Sequence, residues 1–321
     1  MSPAARRVGW VESPLQLINA VEAATHLDET TLLLLRSGVA QLADTARWLE
    51  PHLPGGVELG DAASATDPRF RGAARRLVGD AFSGQFRAVV ATTGVRDLVV
   101  VDDGSAALHL AAVLAGTEQF SRMGQREPLA QRTLGRVTGS RLRAASAAGR
   151  VTLFTAYASH RAMPVVPGAS IVPNRYGWLR ALDGGSPVAL RPVVVLGSAL
   201  AVDGYIATED YEAWAAAHGP ATYLPHRRED RASLERLRAA GLDVVEPGLP
   251  AEIVLGSARG LEEVRSLPSS TGATLARVLP VGAVLDVTAV PDAWWTDRAD
   301  ETFRATLTYL ASAEDASTEE D

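Results

Sequence analysis

The chain has 321 residues, 47% of them hydrophobic and 21% charged, the balance of a soluble globular protein with room for two domains of ordinary size. It contains no cysteine, which excludes disulfides, thiolate catalysis and cysteine-ligated zinc, and its six histidines show no metal-pair spacing. With a net charge of -7 and basic residues scattered singly or in pairs such as Arg6–Arg7, Arg75–Arg76 and Arg227–Arg228, there is no nucleic-acid-binding stripe; every basic side chain is arginine, which also removes Walker A and Schiff-base chemistry.

In chain order, short runs of Val, Leu and Thr alternate with Ala-, Arg- and Leu-rich stretches of helical period, the pattern of strands and crossover helices in a mainly parallel sheet. Strands are expected at Arg7–Glu12, Thr31–Arg36, Val57–Leu59, Ala88–Thr92, Leu98–Val101 and Val151–Thr155, with helices between them, among these Leu15–Ala24 and Pro68–Phe82. The longest apolar run near the N-terminus, Leu32–Leu35, is too short for a membrane span or a signal core. The expected location is therefore cytoplasmic, with peripheral association at the inner face of the membrane left open. The stretch Ser121–Ala148, with Ala130, Leu134 and Val137 at helical spacing, reads as an amphipathic helix or pair of helices rather than as a basic binding arm.

Gly184, Gly185, Ser186 and Pro187 form a turn-rich break, taken as the boundary between a domain at residues 1–187 and a second at 188–312. The second half restarts the same pattern with "RPVVVLGSAL", "ATYLPH", "GLDVVEPG" and a strand-to-helix passage in "VRSLPSSTGATLARV". Residues 313–321 are a polar acidic tail without the apolar content to build a core, and are expected to be disordered. Two successive doubly wound units of similar size predict an α/β protein of two Rossmann-like domains facing each other across a cleft. Neither half carries G-x-G-x-x-G, so a dinucleotide has little support.

Several residues at expected strand ends could carry chemistry. Ser269, Ser270 and Thr271 stand where a strand turns into a helix, which suits either a phosphate or simple helix capping. His226 follows a strand and precedes Arg227 and Arg228, as a proton donor to a leaving phosphate or as a hydrogen-bonded turn residue; Glu229–Asp230 then open a helix. Glu252 could accept both hydroxyls of a ribose or serve as an acid in a first helical turn. Ser13, before Pro14, is a helix cap or part of a loop facing the cleft. Asp102 and Asp103 follow the strand in "LVVVDDGSAAL", with Gly104 allowing close backbone approach. Three readings compete for the pair: a metal site, an N-cap with a solvated partner, or a general base kept from its neighbour by opposite side-chain directions.

Together, "VESPLQLINAVEA", "VVDDGSA", "VVVLGSAL", "YLPHRRE", "EPGLPAEIVL" and "SLPSSTGATL", in this order and across both halves, resemble the bacterial sialyltransferases of the polysialyltransferase and lipooligosaccharide sialyltransferase group. Of that group's His-Pro pair only the histidine is present, because Pro225 precedes His226 and Arg227 follows it. The resemblance implies a GT-B glycosyltransferase that takes sialic acid from CMP-sialic acid to a hydroxyl of a glycan acceptor, inverting the anomeric carbon, with no essential metal and no cofactor. By it, Asp103 is the general base and His226 assists the departing CMP. Ser269, Ser270 and Thr271 hold the phosphate, Glu252 holds the ribose, and Gly197 lines the nucleotide pocket. Ser13, Asp102, Gly104 and Arg227 are expected in support. A non-catalytic relative, or an enzyme using another CMP-activated keto sugar or other nucleotide sugar, is the alternative.

Overall fold

The computed structural model describes residues 6–101, 104–122, 127–182, 185–269, 271–301, 303–305 and 307. The chain divides into two compact units, Met1–Trp178 and Leu179–Asp321, and the division precedes the Ser186–Pro187 turn. The first unit runs β1 (Arg7–Val11), α1 (Pro14–Leu27), β2 (Thr31–Arg36), α2 (Ala40–Leu49), β3 (Val57–Ala62), α3 (Pro68–Gly72) and β4 (Arg75–Val78). It continues through α4 (Gly84–Thr93), β5 (Asp97–Val101), α5 (Ala106–Ala115), α6 (Leu129–Ala147), β6 (Val151–Thr155) and β7 (Ser170–Pro173), and α7 (Gly177–Arg180) spans the division. The seven strands lie in the order β3-β2-β1-β4-β5-β6-β7, every neighbouring pair parallel.

The second unit comprises β8 (Val193–Leu196), α8 (Ala199–Val202), α9 (Thr208–Ala216), β9 (Thr222–Leu224), α10 (Arg231–Ala239), β10 (Asp243–Val244), α11 (Ala251–Gly256), β11 (Glu263–Ser266), α12 (Gly272–Val278) and β12 (Val284–Val287). Its sheet, β10-β9-β8-β11-β12, is also parallel throughout. Both sheets start at an interior strand, grow to one side and then reverse, so the class is α/β with two doubly wound parallel sheets. The apolar runs of β2 (TLLLLR), β5 (DLVVV) and β8 (VVVL) follow from helices covering both faces.

Three expectations need correction. Ala88–Thr92 is not a strand but lies in α4, because Ser83 accepts the Phe86 N–H at 3.1 Å and starts a helix, which Gly94 ends in a positive-φ conformation. The strand between β1 and β5 is instead β4, inside the stretch expected to be one helix over Pro68–Phe82. Its arginines disguise it: Arg76 is buried, and its guanidinium donates to the carbonyls of Phe70, Arg71 and Gly94. The helix in Ser121–Ala148 is present as α6, but Ala130 and Val137 are exposed. Its inner face is Gly135, Thr138, Gly139, Leu142, Ala145 and Ser146. Small residues are needed there because Phe120 lies so close that a Cβ at Gly139 would stand 2.7 Å from the Phe120 Cβ.

Beside this contact lies a buried ion pair. Arg87 of α4 donates through Nη1 and Nη2 to the two carboxylate oxygens of Glu127 at 3.0 and 2.6 Å, and the guanidinium sits 5.1 Å from the Phe120 ring centre. The Arg87 hydrogen bonds hold the Glu127 carboxyl below the usual carboxylate range against the effect of its burial.

Candidate functional site

In a doubly wound sheet, loops at the carboxyl ends of the strands gather on one edge, and a crevice opens where the strand order reverses. In the second unit the reversal lies between β8 and β11. Gly197 and Ser198 follow β8; Ser269 and Thr271 follow β11 and precede α12; His226 follows β9; Glu252 lies in the first turn of α11, after β10. Five of the sequence-predicted residues, Gly197, His226, Glu252, Ser269 and Thr271, therefore stand on the same edge of one sheet.

The β8 and β9 exits are in direct contact. The Gly197 N–H donates to the Leu224 carbonyl at 2.8 Å, and a Cβ at Gly197 would lie 2.1 Å from the His226 backbone nitrogen and 2.6 Å from Glu229 Oε2. Glycine is required by this close approach. His226 is half-buried, and its Nδ1 accepts the Arg228 N–H at 3.4 Å, which leaves the ring proton of the neutral form on Nε2. Burial, then the charges of Arg228 and Arg227, push the imidazole below its ordinary value, partly opposed by Asp203. Arg228 is itself paired with Asp203, its Nη2 donating at 2.8 Å to Oδ2. Arg227 is exposed.

Glu252 is 4% exposed, and burial raises its carboxyl above the ordinary range, an effect only partly offset by its own backbone N–H. Ser269 Oγ accepts the Thr271 N–H at 3.3 Å, so this hydroxyl is engaged in the local turn and Thr271, at the cap of α12, makes no side-chain capping bond. Asp102, Asp103 and Ser270 lie outside the described residues.

In the first unit the reversal lies between β1 and β4. Ser13 serves as the cap of α1, its Oγ accepting the Gln16 N–H at 3.3 Å. The Gln16 side chain accepts the Glu12 N–H at 2.8 Å and packs so tightly on Gly79 that a Cβ there would be 2.2 Å from Gln16 Oε1. Glu12 is bonded to Arg36 at 3.1 Å, and Asp80 pairs with Arg122 while accepting the Phe82 N–H at 2.7 Å. Gly104 has φ 74, the left-handed conformation that favours glycine. Among the described residues, no three His, Asp or Glu side chains converge as metal ligands, and no helix is long and apolar enough to cross a membrane.

Sequence reasoning missed Glu12, Gln16, Asp80, Asp203, Tyr211, Tyr223 and Glu229. Glu229 was expected to open a helix, but that task falls to Asp230, whose Oδ1 accepts the Ser233 N–H at 2.9 Å. Glu229 instead turns inward and accepts the His226 N–H at 2.7 Å. The signal was present in "YLPHRRED", where one acid can cap only if the other points elsewhere.

No protein-family model and no curated protein matches the chain. Among solved structures, Phytolacca americana UGT2 complexed with UDP-2fluoro-glucose and pterostilbene is similar at 13% identity, over 89% of this chain and 81% of that one, with a TM-score of 0.44. Arabidopsis thaliana UGT89C1 complexed with UDP-L-rhamnose is similar at 12% identity, over 98% of this chain and 95% of that one, also with a TM-score of 0.44.

Proposed function

We propose that the chain is a GT-B glycosyltransferase that moves sialic acid from CMP-sialic acid to a hydroxyl of a glycan acceptor with inversion and without an essential metal. The observation that carries this reading is the common edge in the second unit. Residues picked out by the sialyltransferase-like motifs, Gly197, His226, Glu252, Ser269 and Thr271, stand beyond the carboxyl ends of the strands of one parallel sheet, Gly197, Ser269 and Thr271 at its point of reversal. The sialic acid assignment itself rests on those motifs.

In this mechanism Asp103 takes the proton of the acceptor hydroxyl. The acceptor oxygen then bonds to the anomeric carbon from one side as the bond from that carbon to the CMP phosphate oxygen breaks on the other. His226, neutral near pH 7 because its basicity is depressed, offers Nε2–H to that phosphate oxygen. Glu252 accepts from the ribose hydroxyls, and Ser269, Ser270 and Thr271 hold the phosphate. With no lysine in the chain, stabilisation of the phosphate charge falls to hydrogen bonds from hydroxyls, backbone N–H groups and His226, and to arginine.

A thermal-shift panel of nucleotides tests the donor class. At 100 times Kd a nucleotide adds about 2.7 kcal/mol to the stability of the folded chain. CMP is expected to raise the melting temperature more than UDP or GDP at equal concentration, and a larger shift with UDP or GDP would overturn the CMP assignment.

A further inference from the structure

Beneath the His226 turn, four oxygen atoms form a line. Glu229 Oε1 is hydrogen-bonded to the Tyr223 hydroxyl, the Tyr223 and Tyr211 hydroxyls are 2.8 Å apart, and the Tyr211 hydroxyl donates to the Leu196 carbonyl at 3.1 Å. The line thus has three contacts, yet the two phenols supply only two hydrogens. With Glu229 ionised, Tyr223 donates to it and Tyr211 donates either to Tyr223 or to the Leu196 carbonyl, so one of these two contacts is left without a hydrogen.

We propose that Glu229 is a positioning residue carried in its neutral form, whose carboxyl proton completes a one-way hydrogen-bond chain tying the His226 turn to the end of β8. The proton on Oε1 is donated to Tyr223, Tyr223 donates to Tyr211, and Tyr211 donates to Leu196. Every contact then holds one hydrogen, and Glu229 Oε2 remains free to accept the His226 N–H at 2.7 Å. The line links β9, α9 and the exit of β8 at the point where Gly197 touches both His226 and Glu229.

The surroundings favour the proton. Tyr211 and Tyr223 are buried, and their burial pushes both phenols above the ordinary value, so neither gives up its proton to the carboxylate. Glu229 is pushed up to about 7, chiefly by burial, with Glu212 of α9 and Asp230 before α10 adding like charge, while the bonds from Tyr223 and His226 pull the other way. Of the cations in its own turn, Arg228 is paired with Asp203, and Arg227 is exposed. Loss of the proton breaks one contact in the line and puts a charge under the His226 backbone. Its consequence for sugar transfer rests on the function proposed above; the count of hydrogens does not.

The test uses the full chain without any nucleotide. Infrared spectra at about pH 6 are expected to show a carboxylic-acid carbonyl band that disappears in Glu229→Gln, which assigns it against other buried acids such as Glu252. Glu229→Gln keeps a donor for Tyr223 and an acceptor for His226. The folded chain holds the proton up to about 7 and the unfolded chain releases it near 4.5, so the wild-type melting temperature falls as pH rises across that window. Glu229→Gln is expected to lack that component of the fall. Identical carboxyl regions in the two proteins would overturn the proposal. If Glu229→Gln does not fold, Tyr223→Phe removes the acceptor of the proton and must shift the acid band, and an unshifted band would equally overturn it.

Discussion

Replacing His226 with alanine is expected to lower kcat for transfer about 10²- to 10⁴-fold, with CMP affinity changed far less. The imidazole is half-buried, held by the bond from the Arg228 N–H to Nδ1, and disfavoured as a cation by burial and by two neighbouring arginines. In the proposed transfer it would present Nε2–H to the leaving oxygen without first gaining a proton. Charge builds on that oxygen only as the bond to the sugar breaks, so the interaction is worth more in the transition state than in the bound ground state. The neutral ring also sets the pH behaviour. The His226 ionisation is expected below its ordinary value of 6.5, and that step is absent from His226→Ala. Steady-state kinetics across pH, with CMP affinity measured separately, checks both parts; a variant as active as the wild type removes His226 from the leaving-group role.

The largest stability loss is expected at Glu127→Ala, about 3–5 kcal/mol by chemical denaturation, because it leaves the Arg87 guanidinium buried without its counter-charge. The side chains of Arg87 and Glu127 are only 3% and 5% exposed, and the pair is bidentate. Replacing both with apolar residues, as in Arg87→Met with Glu127→Leu, recovers much of the loss, since the penalty comes from the uncompensated charge. Acid sensitivity follows with a fixed sign. Glu127 is held below its ordinary value of 4.5 in the folded chain, so its contribution is complete above that value and disappears as pH falls through the folded one. Glu127→Ala is expected to lose that acid-side slope, and an unaltered slope would mean that the pair is not coupled to folding.

What could be read in advance follows from where the physics is local. β2, β5 and β8 were legible because strands covered on both faces become unbroken apolar runs. β4 was hidden because its Arg76 is satisfied by carbonyls from α3 and from the turn after α4, partners that exist only in the folded unit. Residues Ala88–Thr92, "AVVAT", suit either period, and the Ser83 cap decides for helix. α6 was legible as a helix but not as to its inner face, since Gly135 and Gly139 turn inward to admit Phe120. At the candidate site, Gly197, His226, Ser269 and Thr271 stood out because a strand end followed by such residues is a local pattern. Glu229 did not, because its role depends on Tyr211, which another helix supplies.

Sialyl transfer from CMP-sialic acid is read most directly from product mass in an acceptor screen with that donor in the presence of EDTA, comparing the wild type with Asp103→Asn. The expected result is an acceptor product heavier by one or more sialic acid residues, with stoichiometric CMP, undiminished by EDTA and strongly reduced in Asp103→Asn. Transfer from a UDP- or GDP-sugar but not from CMP-sialic acid would contradict it.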